Sequence, residues 1–310
     1  MIPEELYRVL KKQRYQIYKH AAVKLCGWLK KKMLEDKDCY KSKFYGIETH
    51  RCVQCTPSVI WCQQNCIFCW RVLPKDLNIS FPEPEWEKAE ILYKKILELH
   101  RKAIMGYKGI LDRVGEKKFN EALNPKHIAL SLSGDPTLYP YLDELIELFN
   151  KNNFTTFVVS NGILTEVIEK IKPTQLYISL DAYDLESYKK ICRGRDEYWS
   201  SILNTLEILD KKDRSCIRTT LIRGYNTNIE KFINLYELAN VDFIELKSYM
   251  HVGYSQRRLT KDRMLEYDEV LKLAKKLEEN SSYKIADGCK DSRVVLLINK
   301  NKDVEVKIRH

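Results

Sequence analysis

The chain has 310 residues, of which 44% are hydrophobic and 31% are charged, the usual balance of a globular protein. No apolar run approaches the length of a transmembrane helix, and the first twenty residues carry charges throughout, unlike a secretion signal. Composition therefore excludes a membrane span, a collagen-like chain and a disordered tail protein, and predicts a cytoplasmic location.

Positive charge is in excess and unevenly distributed. The chain holds 53 Lys and Arg against 43 Asp and Glu, a net charge of +10. Residues 1–50 alone hold 12 basic and 6 acidic residues. A cationic surface favours nucleic acid or another polyanion, although a lysine-rich solvated surface explains the charge equally well.

The first third of the chain has a mixed pattern. Loosely periodic apolar residues predict a helix over 3–36, followed by an irregular segment over 37–58. A short β run over 58–61 is predicted to end directly in the cysteine segment 62–69. Residues 84–114 predict a long amphipathic helix.

From residue 127 onward, short apolar runs alternate with amphipathic segments. Strands are predicted at 127–132, 154–159, 176–180, 216–222 and 243–247. Helices are predicted at 141–152, 164–171, 184–191, 198–211, 229–239 and 262–279. With the strand before the cysteine segment, this makes six βα units of an α/β fold, two fewer than a closed eight-fold barrel. Residues 293–299 and 304–308 predict a C-terminal hairpin.

Ten cysteines are present, and seven of them lie within 44 residues. In a chain without a secretion signal, clustered cysteines more often bind metal than form disulfides. Cys62, Cys66 and Cys69 follow a C-x3-C-x2-C pattern, which can hold three irons of a 4Fe–4S cluster and leave the fourth iron open. A zinc knuckle that combines Cys66 and Cys69 with Cys52 and Cys55 is the alternative.

This motif, with Phe68 just before the third cysteine and at the end of the first strand of a βα series, resembles the radical S-adenosylmethionine (SAM) superfamily. The resemblance implies a partial (βα)6 barrel. It also implies that the methionine part of SAM binds the open iron and that an electron from the cluster produces a 5′-deoxyadenosyl radical.

Small polar residues follow the next strands, where the active sites of such folds lie. The resemblance implies cofactor binding by Gly134, Asp135, Pro136, Thr137, Ser160, Asn161, Ser179 and Asp181. The 134–137 segment departs from the commoner Gly-Gly-Glu form of this loop. Plain turns and helix N-caps are the alternatives. Superfamily topology also places Arg218 on the fifth strand and the 247–253 segment, as a backbone contact for adenine, after the sixth.

Cys26, Cys39 and Cys52 are spaced C-x12-C-x12-C in the basic N-terminal part. They predict a second 4Fe–4S cluster, with buried structural thiols as the alternative. Together with the strand-end motifs, this spacing resembles the archaeal 4-demethylwyosine synthase family over nearly the whole chain.

The family resemblance implies that the substrate is tRNA-Phe carrying N1-methylguanosine 37. Pyruvate would then donate two carbons to form the tricyclic 4-demethylwyosine. The resemblance also implies a monomer with a separate electron donor of flavodoxin or ferredoxin type, because 310 residues leave no room for the extra flavodoxin-like domain of eukaryotic relatives. The domains are predicted as a cluster-binding extension (1–57), a radical SAM core (58–280) and a C-terminal hairpin (281–310).

Lys41 is the predicted catalytic residue. It lies two residues from Cys39, so it would lie near a cluster bound there and could form a Schiff base with pyruvate. A surface lysine is the alternative. Residues 30–32 and 257–258 are predicted phosphate contacts. The aromatic residues Tyr40, Phe44 and Tyr45 could stack on the target base, although aromatic residues in such positions are more often core.

Three other functions remain open at this point. One is another radical SAM enzyme acting on RNA, of the methyltransferase or methylthiotransferase type. A second is a glycyl-radical activating enzyme, whose extra cysteines follow the radical motif rather than precede it. The third is a zinc-bearing tRNA-binding protein without enzymatic activity.

Overall fold

The computed structural model of the chain describes residues 2–309. The helices within this range are α1 Glu4–Lys12, α2 Gly27–Glu35, α3 Tyr40–Tyr45, α4 Ala89–Ile104, α5 Leu111–Val114, α6 Glu116–Leu123, α7 Leu142–Lys151, α8 Thr165–Lys170, α9 Leu185–Ile191, α10 Glu197–Ile208, α11 Ile233–Ala239 and α12 Tyr267–Glu279. The strands are β1 Gln16–Tyr18, β2 Ala21–Val23, β3 Cys52–Thr56, β4 His127–Leu130, β5 Thr155–Ser160, β6 Gln175–Ser179, β7 Ser215–Leu221, β8 Phe243–Ser248, β9 Tyr283–Cys289 and β10 Val294–Asn299.

The strands of residues 2–309 form one ten-stranded sheet in the order β1-β2-β3-β4-β5-β6-β7-β8-β10-β9. Strands β3 to β8 are parallel to one another. Strands β1 and β2 extend one edge and β10 and β9 the other, all in antiparallel pairs. The α/β class and the alternation of strands and helices are therefore confirmed. The predicted domain boundaries stay a prediction, since the flanking segments extend the same sheet.

The two faces of the parallel strands differ in what covers them. Alternate residues of each strand point to opposite faces. One face packs against the crossover helices in the main apolar core. On the other, which we call the inner face, one apolar residue from each of five strands joins α3 and the C-terminal tail in a second cluster: Ala129, Phe157, Tyr177, Cys216 and Phe243. Both faces of the parallel strands are thus buried, as in other parallel sheets.

The predicted helix over 3–36 is wrong. Helix α1 ends at Lys12, and the chain then forms the short antiparallel pair β1–β2. Arg14 and Lys19 have φ angles of 65° and 46°, which a right-handed helix cannot contain. Buried His20 holds the turn in place, since its ring bonds to the carbonyl oxygen of Pro57 and to the amide of Glu87.

The predicted first strand at 58–61 is also wrong, as is the irregular segment before it. The backbone there turns instead, with the Trp61 amide donating to the Ser58 carbonyl at 3.1 Å. The first parallel strand is β3, six residues upstream, where Cys52 pairs with His127 of β4. Val53 and Cys55 of β3 point into the main core, whereas Cys52 contacts the inner-face cluster.

The predicted C-terminal hairpin has the wrong partner. Strand β10 pairs with β9, and residues 304–308 contain no strand. This tail runs across the inner face, where Val304, Val306 and Ile308 pack on the second cluster. Its place is secured by a 3.0 Å bond from the Ile308 amide to the Tyr45 carbonyl.

The long helix predicted over 84–114 is shorter than expected. Helix α4 ends at Ile104 and continues as a 3-10 segment before α5. Sequence reasoning missed α6, although it predicted the later helices to within a few residues. None of the helices within residues 2–309 is long and apolar enough to cross a membrane.

Candidate functional site

The C-x3-C-x2-C segment forms a loop beyond the carboxyl end of β3. Its backbone is tied to the end of α9, since the amides of Asn65 and Ile67 donate to the carbonyls of Cys192 and Ile191 at 3.0 and 2.9 Å. Phe68 packs against the main core. Two bonds to one neighbouring segment hold this loop in a defined conformation although it has no regular secondary structure.

The three thiols of the loop lie in a desolvated environment. Burial raises the pKa of Cys69 to about 11, and the neighbouring charge of Cys66 acts in the same direction. The pKa of Cys62 is raised well above its ordinary value by burial, by Asp135 and by the other two thiols. A thiolate is stable here only when a positive charge compensates it, as a bound metal does.

This donor set fits an iron–sulfur cluster. Among residues 2–309, no three His, Cys, Asp or Glu side chains are placed to hold a single metal ion, and Cys52 and Cys55 of the alternative zinc knuckle point to opposite faces of β3. A cluster has a different requirement, because each cysteine binds a different iron. Three thiols on one loop supply three separate ligands, and the charges of Cys66 and Cys69 act on Cys62.

Arg258 links the backbone of the cysteine loop to Asp76. Its guanidinium is almost completely buried and pairs with Asp76 at 2.6 Å. It also donates to the carbonyls of Ile67, at 3.3 Å, and of Cys69. The prediction that Arg258 contacts phosphate is therefore wrong, because these donors are engaged inside the protein. Its neighbour Arg257 is exposed.

Gly134 allows the loop after β4 to pack against the segment that precedes Cys62. Its φ is +67°, and a Cβ there would lie 1.7 Å from the Ser58 carbonyl oxygen and 2.6 Å from that of Trp61. Only glycine fits this approach. The two segments are joined further by a 2.8 Å bond from the Asp135 amide to the Trp61 carbonyl.

The buried carboxylate of Asp135 connects the ends of β4 and β5. It accepts hydrogen bonds from the Thr137 amide at 3.0 Å, the Ser160 hydroxyl at 3.2 Å and the Asn161 amide at 2.7 Å. Burial raises its pKa although these donors act in the opposite direction. The oxygens of this carboxylate are therefore engaged within the chain. Pro136 and Thr137 are buried in the short 3-10 turn that follows.

Three more of the predicted cofactor residues lie at the same edge of the sheet. The Asn161 amide group donates to Gln63 at 3.1 Å and reaches Cys62 Sγ at 3.9 Å. Asp181 accepts a 2.6 Å bond from the Thr220 amide, and burial raises its pKa to about 7. Ser179 pairs with Arg218 across β6 and β7. The strand-end motifs thus converge on the cysteine loop, and their cofactor contacts stay a prediction.

The three N-terminal cysteines come from three different elements. Cys26 caps α2, where its sulfur accepts the Leu29 amide at 3.2 Å. Cys39 caps α3, and Cys52 begins β3. Burial and the charges of Cys26 and Cys39 raise the pKa of Cys52 well above its ordinary value. The fold therefore places these three thiols where their charges act on one another, whereas Cys55 lies on the opposite face of β3.

Lys41 projects over the inner face of the sheet. Its Nζ lies 4.3 Å from the ring centres of both Phe157 and Tyr177. Burial lowers its pKa to about 8, with Arg218 acting in the same direction and Cys52 and Cys39 against it. Lys41 is therefore no ordinary surface lysine.

The aromatic residues of α3 belong to the core. Tyr40, Phe44 and Tyr45 are buried in the inner-face cluster, so the core interpretation is confirmed and base stacking by them is excluded. Tyr40 and Tyr45 both donate to Glu245, at 3.2 and 2.7 Å.

Sequence reasoning missed two features of the site. Glu245 is completely buried beneath α3, and no sequence motif indicated its role. Cys192 lies against Cys66, and their contact is the largest influence on the pKa of Cys66, which it raises. The spacing of the cysteine motif could not reveal Cys192, which lies more than 120 residues after Cys66 in the sequence. The one local signal near Cys192 was the predicted end of a helix at residue 191.

Comparisons with known proteins agree with this geometry. The Radical SAM superfamily model matches residues 56–238, and a model described as wyosine base formation matches residues 238–299. The chain is 72% identical to the S-adenosyl-L-methionine-dependent tRNA 4-demethylwyosine synthase of Methanocaldococcus jannaschii, over 99% of this chain and 100% of that protein. The Pyrococcus abyssi protein of the same name is 42% identical over 97% of this chain and 91% of its own length.

Solved structures are similar over the same length. A structure of TYW1 with a lysine-pyruvate adduct bound superposes with a TM-score of 0.95 at 70% identity. That similarity covers 99% of this chain and 100% of the solved chain.

A first prediction concerns the close approach at Gly134. In Gly134→Ala, the added methyl group must displace the Ser58 carbonyl, so we expect SAM binding to weaken by about tenfold or more. Equilibrium dialysis with the reconstituted protein measures this. Gly106→Ala is the matched control, because a Cβ at that position would meet open space. Unchanged affinity in Gly134→Ala would contradict the prediction.

A second prediction concerns the link between Arg258 and the cysteine loop. Arg258→Gln leaves the carboxylate of Asp76 unpaired, at a cost of about 3–5 kcal/mol for a buried pair, and frees two loop carbonyls. We expect faster loss of iron to a chelator, followed by absorbance, and a lower melting temperature. Arg257→Gln, one residue away and exposed, should behave like the wild type. Equal iron loss in both variants would show that this link does not hold the loop.

Proposed function

Because this chain belongs to the tRNA 4-demethylwyosine synthase family of radical SAM enzymes, we propose that it acts on N1-methylguanosine 37 of tRNA-Phe. A hydrogen atom is abstracted from the N1-methyl group, and the resulting carbon radical adds to pyruvate. The bond to the carboxyl carbon of pyruvate then breaks and releases that carbon, and condensation of the remaining carbonyl with the exocyclic amine of guanine, with loss of water, closes the third ring of 4-demethylwyosine. The observation that carries this proposal is the position of Lys41, which lies in the helix capped by Cys39 and projects its Nζ over the inner face, 4.3 Å from the ring centres of Phe157 and Tyr177.

The radical half of the site lies at the carboxyl edge of β4, β5 and β6. Cys62, Cys66 and Cys69 would hold a 4Fe–4S cluster there. When bound with SAM, this cluster supplies the 5′-deoxyadenosyl radical. The other contacts to SAM would come from Phe68, Gly134, Asp135, Pro136, Thr137, Ser160, Asn161, Ser179 and Asp181.

Within this set, the carboxylate of Asp135 has a positioning role. Its oxygens are taken up by Thr137, Ser160 and Asn161, so it orders the segments that would touch SAM. The backbone of the 134–137 loop then remains for the ligand, which agrees with its departure from the common Gly-Gly-Glu form.

A second cluster completes the proposed site. Cys26, Cys39 and Cys52 come from separate elements and still influence one another's charge, which supports a shared ligand. Buried structural thiols have no need of such proximity. The sheet would curve as the partial (βα)6 barrel of the superfamily and enclose both clusters on its inner side.

Lys41 is the proposed nucleophile toward pyruvate. Its unprotonated amine would attack the carbonyl carbon, and loss of water would leave a Schiff base. Burial brings its pKa to about 8, so more of the amine is unprotonated at neutral pH than for an ordinary lysine. The related TYW1 with a lysine-pyruvate adduct supports this chemistry.

The remaining partners follow from the same proposal. The tRNA would meet exposed basic residues through its phosphates. Of the predicted contacts at 30–32, Lys31 is exposed, whereas Lys32 is paired with Asp36 and Asp38. The target base would leave the anticodon stack to reach the inner face. A separate flavodoxin- or ferredoxin-type protein would donate the electron to this monomeric enzyme in the cytoplasm.

Iron content tests the two-cluster proposal. The anaerobically reconstituted protein should contain about eight irons per chain, as two 4Fe–4S clusters require, and the variant Cys26→Ala, Cys39→Ala, Cys52→Ala should contain about four. A matched triple variant at Cys55, Cys216 and Cys289 should keep about eight irons. About four irons in the wild type would remove the second cluster, and zinc without iron would remove the radical function.

Borohydride trapping with labelled pyruvate tests Lys41. Lys247 is the natural control, because it also lies on the inner face and burial lowers its pKa to about 8 as well. We expect label on the wild type and on Lys247→Arg, and no label on Lys41→Arg, since arginine forms no Schiff base under these conditions. Label on Lys41→Arg would assign the nucleophile elsewhere.

A further inference from the structure

The carboxylate of Glu245 is completely buried and fully bonded. Its Oε1 accepts from the hydroxyls of Tyr45 at 2.7 Å and Tyr177 at 3.2 Å. Its Oε2 accepts from Tyr40 at 3.2 Å and from Arg218 Nε at 2.8 Å. Four donors use its acceptor capacity, so this carboxylate has little left for a ligand.

Arg218 pairs with Glu245 through one edge only. Its Nε makes the bond, whereas its Nη2 is buried and has no hydrogen-bond partner among residues 2–309. A buried guanidinium N–H without an acceptor is costly, and native structures seldom keep one without a reason. A planar guanidinium with a free edge is suited to a carboxylate.

The inner face also carries more positive than negative charge. Lys41, Arg218 and Lys247 lie around the carboxylate of Glu245, and the charge of Arg218 also acts on the carboxyl group of Asp181. Lys41 Nζ and Arg218 Cζ lie 4.3 and 4.4 Å from the centre of the Tyr177 ring, so both cations contact one side chain. Uncompensated cations in a desolvated site favour an anionic ligand.

We propose that the free edge of Arg218 binds the carboxylate of the 2-oxo acid whose carbonyl reacts with Lys41. This inference rests on the proposed function and names the residue that recognises its small substrate. Arg218 and Lys41 would then bind the same 2-oxo acid. The lysine would bond to its carbonyl carbon, and the arginine would orient the adjacent carboxylate. Carbonyl compounds without a carboxylate would bind more weakly. Lys247, 4.6 Å from the ring centre of Tyr40, adds positive charge behind Arg218.

Charge compensation of the second cluster is the competing explanation for Arg218. The contacts that Arg218 makes argue against it. Its Nε donates to Glu245 of β8 at 2.8 Å, and its guanidinium lies over the ring of Tyr177 of β6. The cation on the helix that Cys39 caps is Lys41.

The test compares pyruvate with its methyl ester, which keeps the ketone and lacks the charge. Borohydride trapping on the reconstituted protein, quantified by mass spectrometry, yields a half-saturating concentration for each compound. The wild type should favour pyruvate, and Arg218→Lys should reduce that preference about tenfold to a hundredfold, the range for hydrogen bonds to charged groups. Arg218→Lys keeps a positive charge beside Glu245. A change in the pKa of Lys41 would affect pyruvate and its methyl ester equally, so the ratio of their half-saturating concentrations would not change.

Arg214→Lys is the matched control. Arg214 lies just before the same strand. Its Nε is also buried without a partner, but its Nη1 and Nη2 donate to the carbonyls of Glu305 and Val306, so it offers no free Nη group to a carboxylate. The acid-to-ester preference should therefore stay as in the wild type. Iron content is measured on every variant. Retained iron with a reduced preference in Arg218→Lys alone supports the proposal.

Three results would overturn it. An unchanged preference in Arg218→Lys removes the carboxylate contact, and a loss of iron without a change in preference assigns Arg218 to the cluster. Equal half-saturation of the wild type by acid and ester also overturns the proposal, and this result does not depend on a variant that folds. No trapping of pyruvate on the wild type at all would instead defeat the proposed function of Lys41 itself.

Discussion

The buried carboxylate of Glu245 is the interaction on which the inner face of the sheet depends. A carboxylate with no exposed surface is stable only when its oxygens are bonded and its charge is balanced. Tyr40 and Tyr45 supply two of the bonds from α3, whereas Tyr177 and Arg218 supply the others from β6 and β7. These bonds hold the short helix α3 against the strands. Because Cys39 and Lys41 belong to that helix and its cap, their positions follow from the bonding of one glutamate.

A second carboxylate organises the opposite part of the site. Asp135 joins the ends of β4 and β5 through Ser160 and Asn161, and its own amide reaches the Trp61 carbonyl just before the cysteine loop. The two acidic residues have equivalent structural roles at different places in the sheet: Asp135 follows β4, and Glu245 lies within β8. Each gathers donors from several elements, and each is thereby removed from direct ligand chemistry. The groups left free are the cations, thiols and backbone atoms that these carboxylates position.

The sequence predicted the family and function of this protein more accurately than it predicted the secondary structure of the first sixty residues. The spacing of Cys62, Cys66 and Cys69 and the polar residues after each strand depend only on local order along the chain, and parallel strands bring their ends together by topology. The strand predicted at 58–61 failed because an apolar run says nothing about where its amides bond; here they bond in a turn and to His20. The roles of Glu245 and Cys192 depend on contacts across more than a hundred residues, which no local pattern contains.

The side chains of the inner face change from apolar to charged along the strands, and the charged groups lie toward the carboxyl ends. Toward the amino ends, Phe157, Cys216 and Phe243 form an apolar plug closed by α3 and the tail. Two residues further along β7 and β8, Arg218 and Glu245 replace apolar side chains on the same face, because alternate residues share a side. The charged groups Arg218 and Glu245 thus follow a packed apolar layer along the strands, and that layer shields them from water on one side. Electrostatic attraction between a fixed cation and an anion is strongest in such desolvated surroundings, which is the physical reason why a small anion would be bound there.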